Sequence, residues 1–266
     1  MPLLADVVDL LHSWYPPSSA DSWDAVGLVA GDPEVVVAKI MFAVDPTLDV
    51  AREAVEWGAD LLVVHHPLFL SAVHSVAATT PKGRALHTLT SGGCALLTAH
   101  TNADQATDGV SEALARALGL SELAPIRPSP GQSTTGTGRV GSVPGTTLGD
   151  FATHVASALP ATAHGVRVAG DPDRVVRRVA VCGGAGDFLL DELATADVDA
   201  YVTSDLRHHR AGEFLEHGGP ALIDVAHWAA EWTWLPVVEG KLRSALGDTV
   251  RTRVSTRCTD PWQFRV

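Results

Sequence analysis

The stretch Asp60-Leu61-Leu62-Val63-Val64-His65-His66-Pro67-Leu68 is an apolar run that stops on two histidines and a proline. Four consecutive aliphatic residues predict a strand buried on both faces, as in a parallel sheet covered by helices. Pro67 has no N–H with which to continue a ladder, so both histidines stand at the strand's end, where open α/β sheets place their sites. Neighbouring side chains on a strand point to opposite faces. The pair can therefore serve one metal only if the backbone turns, and Pro67 favours such a turn.

Working outward, Lys39 to Val44 reads as a shorter apolar strand ending at Asp45-Pro46-Thr47. Thr47 is placed to cap a helix from Leu48 to Trp57, which Gly58 ends. This is a β-α-β unit, and its default right-handed crossover makes the two strands parallel, delivering Asp45 and His65 to the same edge. Upstream, the spacing of Leu3, Leu4, Val7, Val8, Leu10 and Leu11 predicts an amphipathic helix before Pro16-Pro17, followed by a strand within Trp23 to Gly31. Trp23 and Gly27 read there as structural residues. Downstream, Pro81 to Ser91 is expected to be helical, and Cys94 to Ala99 forms the next buried strand. That strand ends on His100-Thr101-Asn102-Ala103-Asp104, and a helix from Ser111 to Leu118 follows.

Pro125 to Gly145 is rich in Pro, Gly, Ser and Thr and reads as a connector, residues 125–145, with a short strand at Arg139 to Val143. Beyond it the same order of parts returns. A strand from Val175 to Cys182 runs into Gly183-Gly184-Ala185-Gly186, a weak phosphate-cradle signal that more often marks a tight turn. A helix from Phe188 to Thr195 and a strand from Val198 to Thr203 lead to Asp205, His208 and His209. The last clear strand, Ala221 to Val225, ends on His227, which shares a helix face with Glu231 four residues on. Trp232, Leu235, Val238 and Leu242 continue that helix as an apolar stripe. The expected fold is α/β: a two-lobed α/β/α sandwich with pseudo-repeated β-α-β halves, residues 1–124 and 146–266, and an interlobe cleft suited to a site.

Composition limits the function classes. With 31 acidic against 19 basic residues the net charge is -12, so there is no electrostatic footprint for nucleic acid or an anionic membrane surface. Three cysteines without a CxxC pair argue against a disulfide framework and fit a reducing compartment. The first residues lack a basic signal-peptide region, and no apolar run is long enough for a membrane span. A cytoplasmic protein is expected.

Strand ends thus carry five candidate metal ligands: His65, His66, Asp104, His227 and Glu231. This mixed N/O set suits zinc, manganese or iron(II) better than calcium or thiolate-seeking metals. Five protein ligands exceed what one open catalytic ion takes, whereas a bridging Glu231 divides them into two three-ligand half-sites, the pattern of dinuclear hydrolases. Asp205, His208 and His209 are placed for substrate contact or for support of the ligands. His74, His87, His154, His164 and His217 read as bystanders.

Val-Asp-Pro-Thr at 44–47, His-His-Pro-Leu at 65–68, His-Thr-Asn-x-Asp at 100–104, Val-Thr-Ser-Asp-x-x-x-His at 202–209 and the His227/Glu231 pair together resemble the NGG-one-interacting-factor-three-like family, the GTP cyclohydrolase I type 2 homologues. The resemblance covers nearly the whole chain in order. It implies a dinuclear metal centre on His65, His66, Asp104, His227 and Glu231, with the glutamate bridging two divalent ions (Zn, Mn, Fe, Ni or Co), and a toroidal homohexamer. It also implies a metal-dependent hydrolase that attacks a nucleotide or phosphorylated small molecule through a metal-bridging water. A non-enzymatic metal storage or delivery protein would use the same ligands. The usual Trp-Asp-Asn-Val-Gly of the family stands here as Trp23-Asp24-Ala25-Val26-Gly27, its Thr-Gly-Asp as Thr203-Ser204-Asp205, and its Gly-His-(Tyr/Phe) as Ala226-His227-Trp228. These departures touch the surroundings of the ligands and leave the five ligands intact.

Overall fold

Leu61, Leu62, Val63 and Val64 are all inaccessible to solvent, as a strand covered on both faces requires. In the computed structural model, which describes residues 1–266, the Leu61–Val64 strand pairs in parallel with Lys39–Ala43 on one side and Ala95–Thr98 on the other. Arg251–Val254 adds a further parallel strand outside Lys39–Ala43, and Gly27–Ala30 closes the opposite edge antiparallel to Ala95–Thr98. Helices Leu4–Trp14, Leu48–Trp57, Pro81–Ser91 and Leu235–Leu246 accompany this mixed sheet. The Leu48–Trp57 helix starts where Thr47 Oγ1 accepts from Val50 N and ends at Gly58 in the left-handed conformation, φ 74°. Its Val50 and Ala54 pack with Leu62, Val64 and Leu89 in one buried cluster. The parallel β-α-β unit expected around His65 is present.

The second sheet has six strands in the order Ser121–Ala124, Arg139–Thr147, Val175–Ala185, Ala200–Ser204, Ala221–Val225, Val166–Ala169. Its three central strands run parallel, and the strands flanking them are antiparallel. Helices Val110–Ala117, Leu148–Ala158 and His208–Glu216 are the longer ones that go with it. The fold is therefore mixed α/β, two mixed sheets flanked by helices. No helix is long and apolar enough to cross a membrane.

The chain divides into two compact units, Met1–Ala103 with Leu235–Thr259, and Asp104–Trp234 with Asp260–Val266. The first sheet takes back a C-terminal segment, because Arg251–Val254 is one of its strands. Residues 125–145, expected as a connector, hold strand segments Arg127–Pro128, Gly136–Thr137 and most of Arg139–Thr147. A buried arginine organises them: Arg139 donates to the carbonyls of Gly136, Gly138 and Ala106 at 2.7 Å and pairs with Glu112 at 3.3 Å. The helix expected to run from His227 past Leu242 is broken into His227–Trp232 and Leu235–Leu246. Pro236 sits in the first turn of the latter, where its missing N–H costs no helical bond. The break places the two helices in different units.

Candidate metal centre

In the first unit the backbone after Val64 turns, and His65 N and His66 N both donate to Val44 O, at 3.1 and 2.9 Å. That turn is what the adjacent-histidine problem needed. The rings of His65 and His66 lie 5.0 Å apart, and His100, after the neighbouring parallel strand, stands 5.1 Å from His65 and 5.5 Å from His66. The ligating atoms of the three imidazoles lie within 4.8 Å of one another, a group that could hold a metal ion.

Each ring is oriented through Nδ1. His65 Nδ1 donates to Ala99 O at 2.9 Å, an acceptor only, which fixes the tautomer. His66 Nδ1 donates to Asp45 Oδ1 at 2.7 Å, and His100 Nδ1 to Asp24 Oδ1 at 2.9 Å. Asp45 is itself held by the Thr259 hydroxyl, and Asp24 by the N–H and hydroxyl of Thr101. Burial, helped by the neighbouring His65, lowers His100 to about 4, so its imidazole is neutral at pH 7. Burial alone would raise the Asp24 carboxyl, but hydrogen bonds from Thr101 and His100 outweigh it and hold it low.

The second unit brings an imidazole and a carboxylate together by itself. The His227–Trp232 helix starts at His227, so His227 and Glu231 share a face, with Nε2 2.8 Å from Glu231 Oε1. His227 Nδ1 donates to Asp205 Oδ2 at 2.7 Å, and that bond lowers the Asp205 carboxyl. Asp205 sits at φ 58°, an uncommon conformation for a residue other than glycine. Gly184, at φ 69°, makes room for the pair: a Cβ there would stand 2.6 Å from Glu231 Oε1 and 3.1 Å from His227 Nε2. Within the Gly183–Gly186 run, at the end of its strand, Gly184 therefore faces a carboxylate and an imidazole. Burial pushes the Cys182 thiol up to about 12, with the nearby charges of Asp104 and Glu231 adding to it.

A resident metal fits these residues. All four imidazoles are anchored at Nδ1 by a carbonyl or carboxylate, the arrangement by which proteins orient metal-binding histidines and strengthen them as ligands. Glu231 is a buried carboxylate, 2% exposed, placed beside an imidazole, and buried charges of this kind are paired or bind metals.

Of the five sequence-derived ligands, the first unit brings His65 and His66 together, and the second pairs His227 with Glu231 and holds Asp104 near Cys182. Asp205 supports His227. His208 and His209 are exposed and meet edge to face, ring centres 5.1 Å apart, and His208 lines a cavity with Arg167 and Asp224. His164, expected as a bystander, pairs with Asp224 at 3.1 Å. His100 is a further donor beside the five expected ligands, with Asp24 and Asp45 as anchors of the imidazoles. The position of His100 directly after a buried strand was the available signal.

The Duf34/NIF3 (NGG1p interacting factor 3) profile matches residues 2–261. The chain belongs to the Duf34/NIF3 family. It is 47% identical over 272 residues to a Streptomyces coelicolor protein named GTP cyclohydrolase 1 type 2 homolog, covering 100% of this chain and 95% of that one. A Mycobacterium bovis protein of the same name is 38% identical, covering 98% and 97% of the two chains. Among solved structures, a Bacillus cereus protein related to NIF3 superposes with a TM-score of 0.89 at 23% identity, covering 99% of both chains. A Staphylococcus aureus protein gives 0.88 at 28% identity, again over 99% of both. This NIF3-family chain thus shares the fold of those structures over its full length.

Proposed function

We propose that this chain is a metal-dependent hydrolase acting on a nucleotide-like substrate, with His65, His66, Asp104, His227 and Glu231 holding two divalent ions of the Zn, Mn, Fe, Ni or Co class. His100 is a further donor within reach of the first pair. The reading is carried by one observation: four histidines at or beside these positions are each held at Nδ1 by an acceptor, the arrangement that presents Nε2 as the ligating nitrogen. The names of the relatives support a hydrolytic reaction on a purine nucleotide.

Two divalent ions would supply a water acidified enough to attack at neutral pH, together with positive charge to stabilise the oxyanion that develops. The protein's own part is orientation and charge. Asp45 and Asp205 keep His66 and His227 in the tautomer that ligates and make the rings more basic. The Ala99 carbonyl does the same for His65. Glu231 offers two oxygens and so suits a ligand shared between ions, and its burial keeps bulk water from competing for them.

The test is turnover by metal-reconstituted protein presented with GTP and a panel of nucleotides and phosphoesters. Hydrolysis that disappears in Glu231→Ala and in His66→Ala supports the proposal. Tight metal binding with no turnover on any of these compounds would instead assign the protein to metal storage or delivery.

A further inference from the structure

We propose that a cavity beside His66 in the first unit is an anchoring subsite for an organic anion, an apolar body carrying one phosphate or carboxylate group that Lys82 receives. The proposal deepens the metal-site reading, because it takes His66 as a ligand.

The cavity measures about 300 Å³, the lower end of the roughly 300–1,000 Å³ usual for small-molecule sites. Pro46, Leu48, Pro67, Leu68 and Pro81 make most of its wall apolar, and the His66 ring forms part of the same wall. Three of these residues are prolines with fixed φ, so the wall is preformed and a ligand meets little ordering cost. Backbone donors are scarce there. The prolines have no N–H, while Thr47 Oγ1 takes Val50 N at 3.3 Å and Thr80 Oγ1 takes Gly83 N at 3.0 Å, so one N–H at each nearby helix start is already taken.

Charge decides the remaining chemistry. The acidic group in the wall, Asp45, is committed to His66 Nδ1 and the Thr259 hydroxyl. Lys82 is the cavity's one lysine, is exposed, and forms no ion pair within the protein. A hydrated inorganic anion gains nothing from five apolar residues, and a neutral apolar molecule gains nothing from the ammonium. A compound with both parts uses the whole wall, and seated there it lies against the imidazole assigned to a metal. Phosphate and carboxylate share this chemistry.

Calorimetric titration of the full chain, both metal-free and metal-loaded, tests the proposal with phenylphosphonate, benzoate, inorganic phosphate and benzyl alcohol as probes. At least one aryl anion should bind both forms about tenfold more tightly than either single-feature probe. The tighter of the two identifies the anionic group. Lys82→Met should weaken it about fivefold, Lys82→Glu should weaken it further, and Leu48→Trp should block the cavity, while metal content stays at the wild-type level. Equal affinity for inorganic phosphate, or indifference to both Lys82 variants, would overturn the subsite. Should Leu48→Trp fail to fold, the variants at exposed Lys82 still decide. The two readings fail separately: Lys82-dependent binding by a chain that takes up no metal would sink the metal centre alone, and metal uptake without Lys82-dependent binding would sink the subsite alone.

Discussion

At the residue scale the Nδ1 anchors make the sharpest predictions. Asp45→Ala and Asp205→Ala remove no proposed ligand, yet each should lower metal affinity about 10–100-fold, because the imidazole it orients is released. Competition with a chromophoric chelator measures this, and unchanged affinity in both would remove the anchoring argument. Gly184→Ala places a Cβ 2.6 Å from Glu231 Oε1 at φ 69°, so it should impair metal binding and cost about 1–2 kcal/mol in backbone strain. His100 gives a pH dependence. Its folded-state value lies near 4 against an ordinary 6.5, so the unfolded chain binds the proton more readily. Metal-free protein should therefore keep this contribution above about pH 6.5 and lose stability as pH falls towards 4, more steeply than His100→Gln in urea titrations. Parallel behaviour of the two proteins would contradict the assignment. The five candidate ligands stand out in sequence because each follows a strand end or shares a helix face. Asp24 and Asp45 were not identified as anchors, since hydrogen bonds spanning 76 and 21 residues carry no local pattern.

At the element scale the Leu61–Val64 strand carries the first sheet. Leu62→Ala should cost about 2–5 kcal/mol by emptying a site with no solvent access. Periodicity and turn chemistry predicted this strand, its parallel partner and the capped helix between them, because each rests on contacts close in sequence. The 125–145 segment misled for the opposite reason. Its Pro, Gly and Ser content matches a linker, but Arg139 is 1% exposed and gathers carbonyls from Ala106, Gly136 and Gly138. Buried arginines look like surface residues in a sequence, since the groups that compensate them are irregular backbone. Arg139→Met should destabilise the protein by about 1–3 kcal/mol in chemical denaturation, because the carbonyls of Ala106, Gly136 and Gly138 would lose their donor while Arg116 still pairs with Glu112 at 2.7 Å. A loss below 1 kcal/mol would mean that the arginine does not organise this segment.

On the scale of the whole molecule, the chain leaves the first unit at Asp104 and returns to it at Leu235. A C-terminal strand that completes an N-terminal sheet is not foreseeable from strand patterns alone, and the simple division into halves followed from that. The proposed homohexamer would have six times the 27.9 kDa subunit mass, which light scattering reads directly, and a monomer at micromolar concentration would refute it. The central claim is that two divalent ions are held by His65, His66, Asp104, His227 and Glu231. Anomalous diffraction at the edge of the metal supplied to the purified protein tests it most directly: two peaks per subunit, ligated by these residues, are predicted, and no peak, or a single one lacking Asp104 and Glu231, would contradict it.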